Sequence, residues 1–539
     1  MSAQSQISPA PCVLHEDEHL LVVNKPAGLN THAPAPFAGE GLYDWLRQRE
    51  PRWARLAIIH RLDKETSGVL VFGKSPLANR SLTEQFTRRD VRKKYLLLTH
   101  HGLKQTELTA VSKISRLGER YVSGATGDAA ETIFRNANLK SKIPDSTFVE
   151  AEPRTGRTHQ IRVHAADHGF PILGDTLYGG SPFPRVCLHA AEITLRHPAS
   201  DKLVTFRAPA DFAADARLAL RAAVIDAAAT NAFRLVHGAS DGWPGWFVER
   251  LGDWLLSQSD SELTQPQQAE LTRLAQQVSA RGTYHKILNR QVRRTTPGET
   301  SPQHVLGETA PERFEIHENG IRFELSFQEG YSVGLFLDQR DNRRCFLTGQ
   351  VAADFPLLPP QTPDPRPEIL NTFAYTCGFS VCAAQAGARV TSLDLSKKYL
   401  EWGRRNFTLN GLDPAAHDFI FGDTFDWLRR LAKKSRAFDA IILDPPTFSQ
   451  SKEHGAFRVE KDFGKLVAAA LPLLKPGGLL LASTNAADWE PELFLASVEA
   501  TARSAGRKIL QRHYVPQPPD FPVSRAEPAY LKTCWFRIG

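Results

Sequence analysis

Two segments of the chain bring an acid and several guanidinium groups together. His60-Arg61-Leu62-Asp63-Lys64-Glu65-Thr66-Ser67-Gly68 supplies one carboxylate beside an arginine, and Gly156-Arg157-Thr158-His159-Gln160-Ile161-Arg162-Val163-His164 supplies more. A single ionised aspartate can serve as nucleophile or as base. To do so in a pocket that excludes water it needs a cation nearby that favours its charged form. Arg162 is the best partner for Asp63 on these grounds. A second set lies at Phe373-Ala374-Tyr375-Thr376-Cys377-Gly378, Asp394, Asp423-Thr424-Phe425 and Asp444-Pro445-Pro446-Thr447-Phe448. Small residues that let a ligand approach the backbone, acids that accept hydrogen bonds, and rings that stack all recur at the ends of apolar runs. Such an order suits a ligand crevice at the carboxyl ends of parallel strands.

The elements that must position these groups divide the 539 residues into more than one core, because single cores stop growing near roughly 250–300 residues. Short strands and turns dominate to about residue 208, which predicts an α+β unit with a mixed, largely antiparallel sheet. Residues 211–230, rich in Ala and Leu at helical spacing, predict a connecting helix. Strand and turn patterns return from 231 to 345, and six prolines between 352 and 368 predict an irregular excursion. From Ile369 onward strand and helix alternate, the pattern of an α/β parallel sheet covered on both faces. The expected division is 1–219, 220–345 and 346–539.

The first pair of segments, with Lys93-Lys94-Tyr95-Leu96, Val22-Val23-Asn24-Lys25-Pro26-Ala27-Gly28, Gly174-Asp175-Thr176-Leu177-Tyr178-Gly179 and Leu188-His189-Ala190, resembles the RluA-type pseudouridine synthases over about residues 12–212. The resemblance implies that Asp63 is catalytic, that Arg162 pairs with it, that Arg61 helps extrude the uridine, and that Tyr95 lies against the base and serves in proton transfer from carbon 5. It implies no metal and no cofactor. His60, His159 and His164 are expected to be structural or to contact RNA. The uridine could belong to ribosomal or transfer RNA.

From about Thr230 to the end, the chain resembles class I S-adenosylmethionine methyltransferases, specifically the 23S rRNA enzymes of the RlmI and RlmK type, with Gly334-Leu335-Phe336-Leu337-Asp338-Gln339-Arg340 among the supporting blocks. It implies S-adenosylmethionine held by Tyr375, Thr376, Gly378, Asp394, Asp423, Phe425 and Asp444, with a base pocket at Pro445, Pro446, Phe448 and Asn485. In RlmI-type enzymes a cysteine follows the strand after a Pro-Gly-Gly turn. Here that position is Asn485. Carbon 5 of cytosine needs a covalent thiol to become nucleophilic, whereas guanine N7 has a free lone pair and needs only positioning. N7-methylguanosine is therefore the preferred product, with 5-methylcytosine or a degenerate RNA-binding module as alternatives. Asp520-Phe521-Pro522-Val523 fits either a base-contacting loop or a Pro-rich turn.

The bulk numbers agree with RNA, probable 23S rRNA, as partner in one respect: of the net charge of +7, residues 1–220 carry +6, with 29 Lys+Arg against 23 Asp+Glu. Six cysteines without a CxxC pair suggest reduced thiols, with neither zinc nor disulfides. No apolar run approaches the roughly 20 residues of a membrane span, and the N-terminus does not resemble a secretion signal. A cytoplasmic location is expected.

Overall fold

The computed structural model describes residues 10–38, 41–288, 301–329, 332–358, 366–451 and 455–539. Strands between Val13 and Arg207 form an eleven-stranded sheet. Its centre runs in the order Leu20–Lys25, Ser67–Gly73, Leu188–Arg196, Arg92–Thr99, Thr147–Pro153. The strand Ser67–Gly73 is buried along its whole length, and it pairs with Leu188–Arg196 in parallel while the other ladders are antiparallel. Gly68 makes that parallel contact possible. Its φ is +118°, and a Cβ there would stand 2.3 Å from the carbonyl oxygen of Ala190. The loop carrying Asp63 therefore emerges beside Leu188–Arg196, whose Ala190 faces Tyr95 on the next strand. Tyr95 in turn faces Ala151, so the ring rises between two methyl-sized neighbours.

The helix expected over 211–230 spans only Ala216–Val224. Its start is set by Asp215, whose carboxylate accepts the N–H groups of Arg217 and Leu218 at 2.9 and 3.4 Å, a cap that the Ala-rich composition does not reveal. A five-stranded sheet follows, in the order Ala232–His237, Phe247–Leu251, Trp254–Ser259, Gly282–Ile287, Gln303–Gly307, with the helix Gln265–Gln277 crossing between its parallel pair. Within the Pro-rich stretch, Gln350–Ala352 pairs with Phe355–Pro356; residues 359–365 lie outside the described ones.

The last sheet has seven strands in the order Asp418–Phe421, Arg389–Asp394, Glu368–Thr372, Phe438–Leu443, Leu474–Thr484, Lys532–Ile538, Ile509–Val515. Only Lys532–Ile538 runs against its neighbours. The order reverses between Glu368–Thr372 and Phe438–Leu443, where Thr372 pairs with Leu443. Loops 373–380 and 444–447 are consequently side by side at the switch point.

Buried ion pairs join the three sheets. Arg344 donates to Glu50 at 2.7 Å, and the indole of Trp45 donates to Asp341 at 3.1 Å. Arg221, from the short helix, forks onto Asp241 and also donates to the carbonyl of Asp520 at 2.9 Å. The Asp520 carboxylate takes both terminal nitrogens of Arg340 and the N–H of Arg234. Asp520 is 0% exposed, so of the two readings of its segment the inward turn is the one observed. Asp520→Ala should lower the unfolding free energy by about 3–5 kcal/mol, because Arg340 would remain buried without its counter-ion. A loss below about 1 kcal/mol in urea titration, the size of an exposed pair, would contradict this.

Candidate functional sites

A cleft of about 920 Å³ opens over the first sheet, lined by Arg61, Asp63, Tyr95, His159 and Arg162 among others. The backbone around Asp63 is braced on both sides. Thr31 exchanges hydrogen bonds with the N–H and carbonyl of Leu62, and the carbonyl of Lys64 accepts from Gly28 N–H at 2.8 Å and from the Lys25 ammonium at 3.3 Å. Lys25 is fully buried and also donates to the carbonyls of Pro26 and Leu29. Burial pulls its pKa down to about 7, and the charges of Asp63 and Glu65 oppose that shift. This explains what the Asn24-Lys25-Pro26 block does for the site: its cation caps the loop that presents Asp63.

The Asp63 carboxylate itself has no hydrogen bond or ion pair among the described residues, which differs from the expected direct pairing with Arg162. The Arg162 fork is occupied by Asp175, at 2.7 and 2.8 Å, on a side chain that is 1% exposed. Its remaining nitrogen donates to Glu65 at 3.3 Å and to His159 at 3.1 Å. Asp175 takes the Nε–Nη2 edge of this planar guanidinium and Nη1 is shared by Glu65 and His159, so no pair of nitrogens is left for Asp63. Arg162 therefore acts on Asp63 through space. Burial raises the pKa of Asp63, while the Arg162 guanidinium and the Lys25 ammonium oppose the rise. Tyr95 is pushed well above the ordinary phenol value by burial and by the charge of Asp63, so its hydroxyl is held protonated. Arg61 stands exposed at the rim of the cleft.

The histidines divide. His60 accepts the N–H of Val71 at 3.1 Å and stacks on Phe86, and His164 bridges Thr132 and Ser112 at 2.9 Å each. Both are structural. His159 instead touches Arg162. Asp175, Tyr178 and Lys25 also belong to this site; their motifs, Gly174–Gly179 and Val22–Gly28, signal it in the sequence, but their partners do not show there.

At the second centre, Phe373, Tyr375 and Cys377 all have left-handed backbone, with φ of 54°, 48° and 65°. This coils loop 373–380 so that Tyr375 N–H donates to Asp394 at 2.8 Å; the other oxygen of Asp394 accepts from Ser396 N–H at 2.8 Å. Each oxygen keeps a lone pair for a hydroxyl-bearing ligand. A Cβ on Gly378 would come within 2.9 Å of the Leu335 side chain, so the glycine lets the helix start pack closely against residues 334–338. Thr376, expected to hold the cofactor, is buried and gives its hydroxyl to the carbonyl of Gly334, which makes it a strut for the loop. Asp423 caps the helix Thr424–Lys433 by accepting Asp426 N–H at 3.2 Å, a duty beyond the one expected of it, while Phe425 packs toward Phe457.

Asp444 accepts from the Gln339 amide at 3.0 Å; that amide also donates to Ser483 at 2.8 Å. Burial and the nearby Asp338 push Asp444 up to about 6. Asp338 accepts the Tyr530 hydroxyl at 2.9 Å. Pro445 is buried, whereas Pro446, Phe448 and Asn485 are exposed. Leu443 pairs with Ala482, so Asn485 leaves its strand beside the 444–446 turn. Cys377 is buried, with its thiol pushed up to about 12 by burial, and packs rather than reacts. Among the described residues no cluster of His, Cys, Asp and Glu could hold a metal ion, and no helix is long and apolar enough to cross a membrane.

Two family models match the chain: RNA pseudouridylate synthase over residues 19–167 and S-adenosylmethionine-dependent methyltransferase over residues 233–537. Ribosomal RNA large subunit methyltransferase I of Klebsiella pneumoniae is 33% identical over 307 residues, covering 56% of this chain and 72% of that protein. Ribosomal RNA large subunit methyltransferase of Deinococcus radiodurans is 32% identical over 339 residues, covering 60% and 78%. Among solved structures, human RNA pseudouridylate synthase domain containing 4 is 26% identical, covers 37% of this chain and 88% of its own, and superposes with a TM-score of 0.30.

The raised pKa of Asp63 makes the charged carboxylate a cost to the fold. A group with a raised folded pKa contributes stability below its unfolded value and loses it as pH rises through the folded value. Asp63→Asn should therefore unfold at higher denaturant than the parent at pH 7, with the gap closing on acidification. An Asn variant less stable than the parent at pH 7 would show that the carboxylate is stabilised in place.

Proposed function

The chain belongs to the S-adenosylmethionine-dependent methyltransferase family over residues 233–537, and we propose that it is a bifunctional enzyme that makes pseudouridine with residues 1–219 and methylates guanine N7 of 23S rRNA with the units 220–345 and 346–539. An RNA pseudouridylate synthase domain and an S-adenosylmethionine-dependent methyltransferase domain are both present. The observation that carries the first activity is the unpaired carboxylate of Asp63 in its cleft, with Tyr95 and the Arg162 system around it.

Isomerisation breaks the bond from ribose C1′ to uracil N1 and forms one from C1′ to C5; the C5 proton is lost and N1 gains one. Asp63, as nucleophile or base, starts the exchange. Water exclusion by the flipped base strengthens the field of Arg162 on the carboxylate. Extruding that base costs a few kcal/mol of stacking, which Arg61 at the rim and the Tyr95 ring are placed to offset. No metal or cofactor takes part in this reading.

S-adenosylmethionine supplies an electrophilic methyl group when bound. Asp394 fits its ribose, the turn before Gly378 would take its methionine part, and Phe425 and Asp423 lie after the adjoining strand. Asp444 and the exposed Pro446, Phe448 and Asn485 would receive the base. Asn485 supports N7 over carbon 5, because no cysteine stands at that strand end and every cysteine of the described residues is buried. The names of the relatives support large-subunit rRNA as substrate, and a cytoplasmic location accords with that.

Mass-spectrometric mapping of rRNA from cells lacking this protein should reveal one missing pseudouridine and one missing 7-methylguanosine. Asp63→Ala should restore only the methyl group and Asp444→Ala only the pseudouridine; restoration of both marks by either variant would refute the assignment. With Asp444 as the acceptor for the base N–H edge, methyl transfer should rise with pH through about 6 and then level. An Asp444→Asn enzyme that keeps the same acid limb would assign that limb to another group.

A further inference from the structure

We propose that His159 is a positioning residue of the pseudouridine-forming centre, a neutral imidazole oriented by Tyr178 that holds the free arm of the Arg162 guanidinium beside Asp63. The inference rests on the reading of residues 1–219 given above and concerns a group to which that reading assigns no part.

The donor count decides the protonation of the ring. Arg162 cannot accept a hydrogen bond, so at 3.1 Å from its Nη1 the His159 Nε2 must be the acceptor. The proton then sits on Nδ1, which donates to the Tyr178 hydroxyl at 2.8 Å. That hydroxyl also accepts Tyr121 N–H at 2.9 Å, which anchors it against the backbone of the neighbouring strand. The chain is continuous: backbone of Tyr121, Tyr178, His159, Arg162. The Tyr178 ring lies 5.1 Å under the same guanidinium, and Asp175 clamps its opposite edge.

Backbone conformation at His159 points the same way. It precedes the helix Gln160–Asp167 with φ of 56°, a left-handed geometry that is unfavourable for a non-glycine residue and persists where the surroundings demand it. The imidazole meets the guanidinium of Arg162, three positions on, and not the backbone N–H groups of the helix start. His159 makes no side-chain cap to this helix, so the strain serves the contact with Arg162.

Charged groups face the ring from every side. Asp63 and Glu65 from the catalytic loop and Asp175 from the Gly174–Gly179 turn favour an imidazolium; Arg162 on its own helix and burial oppose it, and the balance lies below the ordinary imidazole value. Protonation would set two cations 3.1 Å apart and remove the acceptor that His159 offers Arg162 Nη1, leaving that nitrogen to Glu65. Arg162 would then be free to tilt toward Glu65 and away from Asp63.

The test uses the full chain and ribosomal RNA labelled with [5-³H]uridine, purified from cells lacking this protein. Tritium release measures isomerisation, and methyl transfer in the same sample reports that the rest of the molecule is folded. His159→Phe should lower kcat on the order of 10²-fold, the effect of a small misplacement near the reacting groups, with KM changed less than about threefold and methyl transfer unchanged. His159→Gln, which restores an acceptor, should recover much of kcat and lose the acid limb of the pH profile. Tyr178→Phe should cost less than His159→Phe and shift that limb. A His159→Phe enzyme with parental kcat and pH profile overturns the proposal, as does a Gln variant that matches Phe. Asp63→Asn separates the two levels: if it still releases tritium, the assignment of the centre fails; if it is inactive while His159→Phe is normal, only the role of His159 fails.

Discussion

A carboxylate that must stay reactive cannot be neutralised by a direct partner, yet it cannot be desolvated without some cation nearby. That constraint organises the first half of the molecule. Asp63 lies in a cleft where burial raises its pKa, and the guanidinium that tempers it is tied to Asp175 instead. Tying the cation elsewhere leaves the oxygens of Asp63 open to a ribose or a proton while keeping a positive field across them. The buried Lys25 works in the same manner from below, spending its hydrogen bonds on carbonyls while its charge acts on Asp63.

The second centre meets the same constraint with different parts. Asp394 is held by backbone N–H groups at both oxygens, and Asp444 by the amide of Gln339. Neither has a cation in contact among the described residues, and both have raised pKa values through burial. Neutral donors leave lone pairs available for a polar ligand, which suits a crevice that binds by hydrogen bonds. Asp338 beside Asp444 adds repulsion, which hydrogen bonds from Ser483 and Gln339 and the more distant charge of Arg343 oppose at Asp444.

Between the centres, full ion pairs appear where chemistry is not required. Asp520 with Arg340, Glu318 with Arg343, Glu50 with Arg344 and Asp241 with Arg221 are buried, and each sets an arginine of a helix against an acid of another segment. Such pairs do not add much net stability over apolar packing, but removing one partner is costly, so they define one arrangement of the sheets sharply. The segment from Asp520 to Tyr530 shows the outcome. At one end it gathers three arginines' contacts, in its middle Val523 accepts from Lys64 next to Asp63, and at the other end Tyr530 reaches Asp338.

Local order of residues was enough to specify the kinds of chemistry, the position of Asp63, the alternation of strands and helices after residue 368, and the loops that hold Asp394 and Asp444. These follow from spacing and hydrophobic period, which are properties of neighbouring residues along the chain. Composition placed a helix near 211–230 but not its ends, because a single capping carboxylate at Asp215 decides the start. Partner choice was out of reach. That Arg162 forks onto Asp175, that Thr376 is a strut, that Asp423 caps a helix, and that His159 differs in role from His60 and His164 depend on which side chains meet after the sheet closes. Distances between such groups are set by strand register and by the approach of Gly68 to Ala190, long-range contacts that exist only once the whole sheet has formed.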